Sequence, residues 1–248
     1  LTDNDKRGWK ADKKLRQWFE QIPKIEYLKI NEGNATVTSY YTLINDSAKV
    51  KIDYTVQSNG VVQVDYSLEV KPGLPDIPRV GMQLGIDRGY DQVQWYGKGL
   101  YENYTDRRWG FDAGLYSQPI EEFMEPYVVP QENGNRTDVR WMYLHNKKGK
   151  GLLVVADSLL SMSAWPYTEA NIRAARHTCW LRDAGHLTLN IDLVQMGVGG
   201  NDSWSDVAAP LAQYRVPAKN YQYRFYLLPL DAAKPAPGTK ARAVKGIK

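Results

Sequence analysis

The chain has 248 residues, 43% of them hydrophobic, with a single cysteine and a formal net charge of +4. That length suits one large all-β domain or two small ones, with ample apolar content for a core. A lone thiol excludes a disulfide framework and a thiolate metal site, and no run of 18 apolar residues offers a membrane span.

The chain opens Leu1-Thr2-Asp3-Asn4-Asp5, without a Met or a signal peptide. This predicts a piece of a longer polypeptide and leaves the compartment open. The polar cluster precedes Gly8-Trp9, and its local reading is a helix start capped by Asp3 or Asp5. Over 8–22 the residues Leu15, Trp18, Phe19 and Ile22 form one apolar stripe at helical spacing, and Pro23 ends it.

Beyond Pro23 the period changes to two. A strand is expected over 34–44. Val50, Ile52, Tyr54 and Val56 alternate with polar residues, as do Val62, Val64, Tyr66, Leu68 and Val70. Asn59-Gly60 between the two runs is a strong hairpin signal. The segment Lys71-Pro72-Gly73-Leu74-Pro75-Asp76-Ile77-Pro78 reads as a connection between two sheets of one sandwich. Further strands are expected over 79–86, 92–96, 138–145, 151–157, 187–193 and 220–228, with a short helix near 168–175. In the last strand Tyr221, Tyr223, Phe225 and Leu227 share a face. Many strands, few helices and Pro/Gly-rich connections predict a large antiparallel β-sandwich over 1–230, without an internal repeat.

Residues 231–248 carry Lys234, Lys240, Arg242, Lys245 and Lys248 against Asp231, which is the whole net charge. The other 230 residues hold 27 basic and 27 acidic side chains. No basic face is implied, so nucleic acid is not an expected partner. The tail itself, rich in Ala, Pro, Gly and Lys, reads as poorly ordered.

Several residues bear on chemistry. A retaining glycosidase needs two carboxylates about 5–5.5 Å apart. Glu102, Asp106, Glu132 and Asp202 lie in polar loops, but Glu102 and Asp106 sit close to Arg107 and Arg108 and read as ion-paired. Glu132 reads as part of a turn over Glu132-Asn133-Gly134-Asn135-Arg136. The three histidines, His145, His177 and His186, lack zinc-site spacing. Neither a nucleophile elbow nor a phosphate-binding loop is present. The most informative stretch is Met196-Gly197-Val198-Gly199-Gly200-Asn201-Asp202-Ser203-Trp204-Ser205. Its glycines permit sharp turns and close approaches. They leave Trp204 as either a packing plug or a platform for a ligand ring. The 17 Tyr and 8 Trp suit half-exposed sheets and sugar-binding surfaces alike.

The Met196 loop does not stand alone. Gly97-Lys98-Gly99-Leu100-Tyr101-Glu102-Asn103-Tyr104-Thr105-Asp106-Arg107 and Pro126-Tyr127-Val128-Val129-Pro130-Gln131-Glu132-Asn133-Gly134-Asn135-Arg136 precede it. So do Asp3-Asn4-Asp5, Pro78-Arg79-Val80-Gly81 and Leu187-Thr188-Leu189-Asn190-Ile191-Asp192. In this order, from Thr2 to about Leu228, they resemble the C-terminal, fifth, small-chain-like domain of glycoside hydrolase family 2 β-galactosidases. The resemblance implies a supersandwich similar in shape to galactose mutarotases, following a TIM barrel and two immunoglobulin-like domains. It implies catalytic glutamates and bound magnesium and sodium ions elsewhere in the polypeptide, and no cofactor on this chain. It aligns Trp204 with an aromatic at the active-site mouth that stacks on a β-galactoside such as lactose. Asn201 and Asp202 would form a polar rim, and Asn4 belongs to a segment preceding an active-site loop, here shortened to Lys6-Arg7-Gly8-Trp9. The remaining domains are then the expected partners. A stand-alone carbohydrate-binding module and a mutarotase-like epimerase are the rival expectations.

Overall fold

The computed structural model describes residues 1–20, 23–231 and 236–246. The chain begins with a π-helical turn over Asn4–Gly8 and then a short helix, α1 (Asp12–Arg16). The single helix expected over 8–22 is therefore divided. Lys10, at φ 54°, takes the left-handed conformation that a continuing helix excludes. The stripe still works as packing: Leu15 is buried, and Trp18 and Phe19 pack against the core. Ile22 lies outside the described residues.

Eleven strands follow: β1 (Lys24–Asn31), β2 (Thr36–Leu43), β3 (Ala48–Val56), β4 (Val62–Val70), β5 (Arg79–Asp87), β6 (Gln92–Lys98), β7 (Ala113–Pro119), β8 (Arg136–His145), β9 (Gly151–Trp165), β10 (His186–Gln195) and β11 (Tyr221–Leu230). All pairings among them are antiparallel. The order runs β1-β2-β3-β4-β11-β9-β8-β6-β7, with β10 joined to β9 and β5. The Asn59-Gly60 hairpin is present, with Gly60 at φ 82° and Gln57 N–H donating to Val61 O at 2.8 Å. The short helix near 168–175 is α2 (Glu169–Ala174), capped by the Thr168 hydroxyl.

The fold turns on β9, which is 15 residues long. Its first part, Gly151–Ala156, pairs with β11, and its last part, Ser161–Trp165, pairs with β10. The exposed residues 157–159 mark the change. One strand thereby serves both halves of the molecule. Val64, Tyr66 and Leu68 of β4 share one core with Leu187, Leu189 and Ile191 of β10. The Tyr223 hydroxyl of β11 donates to Ile191 O at 2.9 Å, tying β11 to β10. The 71–78 connection carries the chain from β4 to β5, with the Trp18 indole donating to Pro75 O. Arg136 is buried on β8 over the rings of Phe123 and Trp95, and burial pushes its guanidinium down to about 10.

Two strands fall outside the sequence expectation. β1 alternates only in two short runs, broken at Tyr27-Leu28, and is exposed along its length as an edge strand. β7, Ala-Gly-Leu-Tyr-Ser-Gln-Pro, is made largely of residues that disfavour strands. The tail also differs. Pro237–Val244 forms a helix, α3, with Pro237 at its first turn. Ala241 is buried in a second cluster with Trp141, Tyr143, Val155 and Tyr226. The poorly ordered tail expected from composition is thus corrected for 237–244, because small residues dock on Trp141 without an apolar stripe. Residues 232–235 and 247–248 of that tail lie outside the described residues.

Candidate functional site

The Met196–Ser205 loop leaves β10 and is fixed at several points. The Asp106 carboxylate accepts the Val198 and Gly199 N–H groups, both at 2.9 Å. Gly197 N–H donates to Tyr214 O at 2.8 Å, and Asn201 N–H to Val207 O at 2.7 Å. The glycines serve close approach here. A Cβ on Gly197 would lie 2.8 Å from the Asp106 carboxyl carbon, and one on Gly200 would lie 2.4 Å from Val207 O. The Asp202 carboxylate accepts from Trp204 N–H, Ser205 N–H and the Ser205 hydroxyl. Those bonds, the hydroxyl's above all, hold it below the usual carboxylate range. The outcome is a constrained turn that projects Trp204 at 79% exposure. Trp204 is no packing plug within this chain. Asn201 is exposed beside it, while Asp202 spends its oxygens on the turn.

Asn4 lies in the π-helical turn, which packs on the short 206–208 helical turn following Trp204. Neither Asp3 nor Asp5 caps a helix by its side chain. Asp5 is instead buried and accepts from Thr2 N–H, the Thr2 hydroxyl and the Trp9 indole. It locks the start of the chain against Trp9.

The four loop carboxylates hold separate structures. Glu102 is buried and pairs with Arg107, as expected, while also accepting from Tyr127 and from Gly134 N–H at 2.8 Å. Asp106 does not pair with Arg107 or Arg108. It holds the Trp204 loop, and Arg108 goes to Asp138 at 2.8 Å. Glu132 is not a local turn residue: its Oε2 accepts from Arg79 Nη2 at 2.8 Å, across 53 positions. Cys179 is exposed. The ring of His145 stacks on Tyr143, His177 meets the edge of Trp180, and His186 contacts Ala184 O. Among the described residues no group of three or more His, Cys, Asp or Glu side chains suits a metal ion.

A polar cluster unmarked by the sequence reading lies below the N-terminal turn. Arg79 of β5 bridges Glu132 and Asp192, its Nε lying 3.5 Å from Asp192 Oδ2. Asp192 is 1% exposed. Burial pushes its carboxyl up to about 7, against the pull of Arg79, with Glu132 and Glu169 adding to the rise. Arg79 is held above its ordinary value by Asp192 and Glu132, which outweigh its own burial. The upward direction for Asp192 follows from geometry, since neither oxygen accepts a hydrogen bond and the Arg79 contact is a long one at 3.5 Å. A usable signal did exist. Gly81 within β5 marks a close approach, and a Cβ there would lie 1.9 Å from Asp192 Oδ1.

The described residues form an eleven-stranded antiparallel domain that projects Trp204 at 79% exposure from an anchored loop, with Trp109 at 77% on another. The family model described as beta galactosidase small chain matches residues 1–227. The chain belongs to that family. A beta-galactosidase of Priestia megaterium is 32% identical over 235 residues, which are 93% of this chain and 22% of that protein. One from Lactobacillus delbrueckii subsp. bulgaricus is 35% identical over 224 residues, 85% of this chain and 21% of that protein. The chain therefore spans about a fifth of the length of these curated relatives. Similar solved structures include an alpha-galactosidase from Lactobacillus brevis, with a TM-score of 0.42 and 9% identity, covering 90% of this chain and 28% of that one. A GalM/aldose epimerase homologue from C. elegans has a TM-score of 0.41 and 9% identity, covering 85% and 70% respectively.

Proposed function

We propose that this chain is the C-terminal domain of a β-galactosidase, non-catalytic by itself, and that it lends Trp204 to the active site of the whole enzyme. The observation that carries this reading is an indole at 79% exposure on a loop pinned by Asp106 and Asp202. A pyranose face stacks on a flat aromatic surface, and its hydroxyls need polar groups at the rim. Asn201 supplies a rim group. Asp202 acts as a positioning residue through its bonds to the Trp204 and Ser205 backbone. Asn4 belongs to the N-terminal turn that supports this loop. Hydrolysis, and the magnesium and sodium ions of the family, are assigned to the other domains.

The test compares Trp204→Ala with Trp204→Phe in the full-length enzyme, folding being checked by melting. Truncating a stacked aromatic costs roughly 2 kcal/mol of binding, about a thirtyfold change. KM for lactose should rise in Trp204→Ala and recover in Trp204→Phe, while formation of the galactosyl-enzyme changes much less. Normal lactose KM in both variants defeats the reading. Saturable galactoside binding by the isolated domain would favour a stand-alone binding module instead.

A further inference from the structure

The Arg79 cluster forms the floor of a pocket of about 110 Å³ beneath the N-terminal turn, walled by Trp18 and Phe19. Its polar lining is Arg79, Glu132, Gln195, Glu169 and Asp5. Gln195 is 5% exposed and its Oε1 receives no hydrogen bond among the described residues. Glu132 Oε1 is likewise buried without a donor, as are both oxygens of Asp192 behind Arg79. On the donor side, Arg79 Nη1 and the Trp165 indole are unpaired. Acceptors outnumber donors two to one.

Charge points the same way. Asp5, Glu132, Glu169 and, behind Arg79, Asp192 supply four carboxylates against Arg79, the Leu1 terminus and Arg173 over Phe19, and Arg79 is already shared by Glu132 and Asp192. An anion is repelled here. A neutral hydroxyl supplies a donor but offsets no charge. The described residues provide no group of three ligands for a metal ion. The aromatic wall accommodates a planar cation, since Arg173 already stacks over Phe19 at 4.9 Å. Buried carboxylates and amide oxygens left without donors are costly, and charge-assisted bonds to a cation offset that cost.

We propose that this pocket binds an organic cation bearing several N–H donors, a guanidinium or primary ammonium group, carried by a small molecule or by a basic side chain of another polypeptide segment. Glu132 Oε1 and Gln195 Oε1 are its acceptors.

The chain is titrated with methylguanidinium chloride and, separately, with the capped peptide acetyl-Gly-Arg-Gly-amide, at constant ionic strength set with NaCl. D-galactose is the neutral control. Calorimetry and melting temperature are read. The expected result is saturable binding of a cation that raises Tm. It should weaken about tenfold in Glu132→Gln, as the loss of a charge-assisted hydrogen bond requires. Gln195→Glu, which adds a charge and keeps the shape, should tighten it, and this keeps the test alive should Glu132→Gln fail to fold. Saturation by methylguanidinium alone identifies a small-molecule source, and saturation by the peptide identifies a side chain. The proposal is overturned if neither cation exceeds matched NaCl, if binding is unchanged in both variants, or if galactose saturates the pocket and the cations do not.

Discussion

Gly8 packs so closely on Ala208 that a Cβ added to Gly8 would lie 2.5 Å from the Ala208 Cβ and 3.4 Å from Ser203 O. The N-terminal turn and the base of the Trp204 loop are therefore one packed unit, although about 200 positions separate them in sequence. Asn4 sits in the turn, and Asp5 binds the Trp9 indole at 3.0 Å beside it. The position of Trp204 consequently depends on a segment that has no local reason to be near it.

Gly8→Ala tests this coupling. Overpacking a filled contact costs about 1–3 kcal/mol. In a chain of this size each kcal/mol corresponds to roughly 2–4 °C in Tm. The variant should melt several degrees lower, and amide exchange at Trp204 and Ser205 should accelerate as their loop is displaced. An unchanged melt with unchanged exchange at those two amides would show that the two segments are independent.

Asp106 is the second anchor. One of its oxygens accepts both Val198 N–H and Gly199 N–H. Asp106→Ala strands both donors, at a cost of about 2 kcal/mol. Amide exchange at Val198 and Gly199 should accelerate well beyond the change at core positions such as Leu189. Uniform acceleration across the chain would mean global destabilisation instead of a loosened loop.

Much of this fold is written in period-two patterns. The β3 and β4 runs alternate around Asn59-Gly60, and their pairing follows without other information. The alternation of β1 slips at Tyr27-Leu28, which an exposed edge strand tolerates because it needs no buried face. The length of β9 was hidden for the opposite reason. Its continuation, Ser-Leu-Leu-Ser-Met-Ser-Ala-Trp, switches neighbours midway and is buried on both faces at its end. At the site, the glycines left Trp204 open between plug and platform, and in the structure they serve close packing more than freedom. The Glu132 partner was invisible, since Arg79 lies 53 positions away in sequence and meets it only in the folded chain.

The tail offers a sharper trial. Helix α3 covers Trp141, with the Gly238 Cβ position 3.5 Å from the indole, and Lys245 Nζ donates to Asp157 O at 2.6 Å. Deleting residues 232–248 uncovers the cluster of Trp141, Tyr143, Val155 and Tyr226. At about 25 cal/mol per Å² the lost burial is on the order of 2 kcal/mol. The truncated chain should melt several degrees lower and bind a hydrophobic dye more strongly. Equal melting temperatures would show that the helix contributes nothing to stability.

The pH dependence of stability should carry the mark of Asp192. Burial pushes its carboxyl up to about 7 in the folded chain, against an ordinary 3.8. Between those two values the folded state keeps a proton that the unfolded chain has lost. Stability must then fall as pH rises through this window, and level off above about pH 7. Three units at roughly 1.4 kcal/mol each set an upper bound of about 4 kcal/mol on the effect. Asp192→Asn removes the titrating group and leaves Glu132 to pair with Arg79. Urea unfolding from pH 4.5 to 8 should therefore show a falling limb in the parent chain and a flatter one in the variant. Every other titrating group is common to both proteins, so the difference between the two curves reports Asp192. Above pH 7 the variant should be the more stable of the two, because it buries an amide where the parent buries a charge that accepts no hydrogen bond. Parallel curves would mean that Asp192 is ionised throughout, held by Arg79, and that its burial costs far less than the geometry implies.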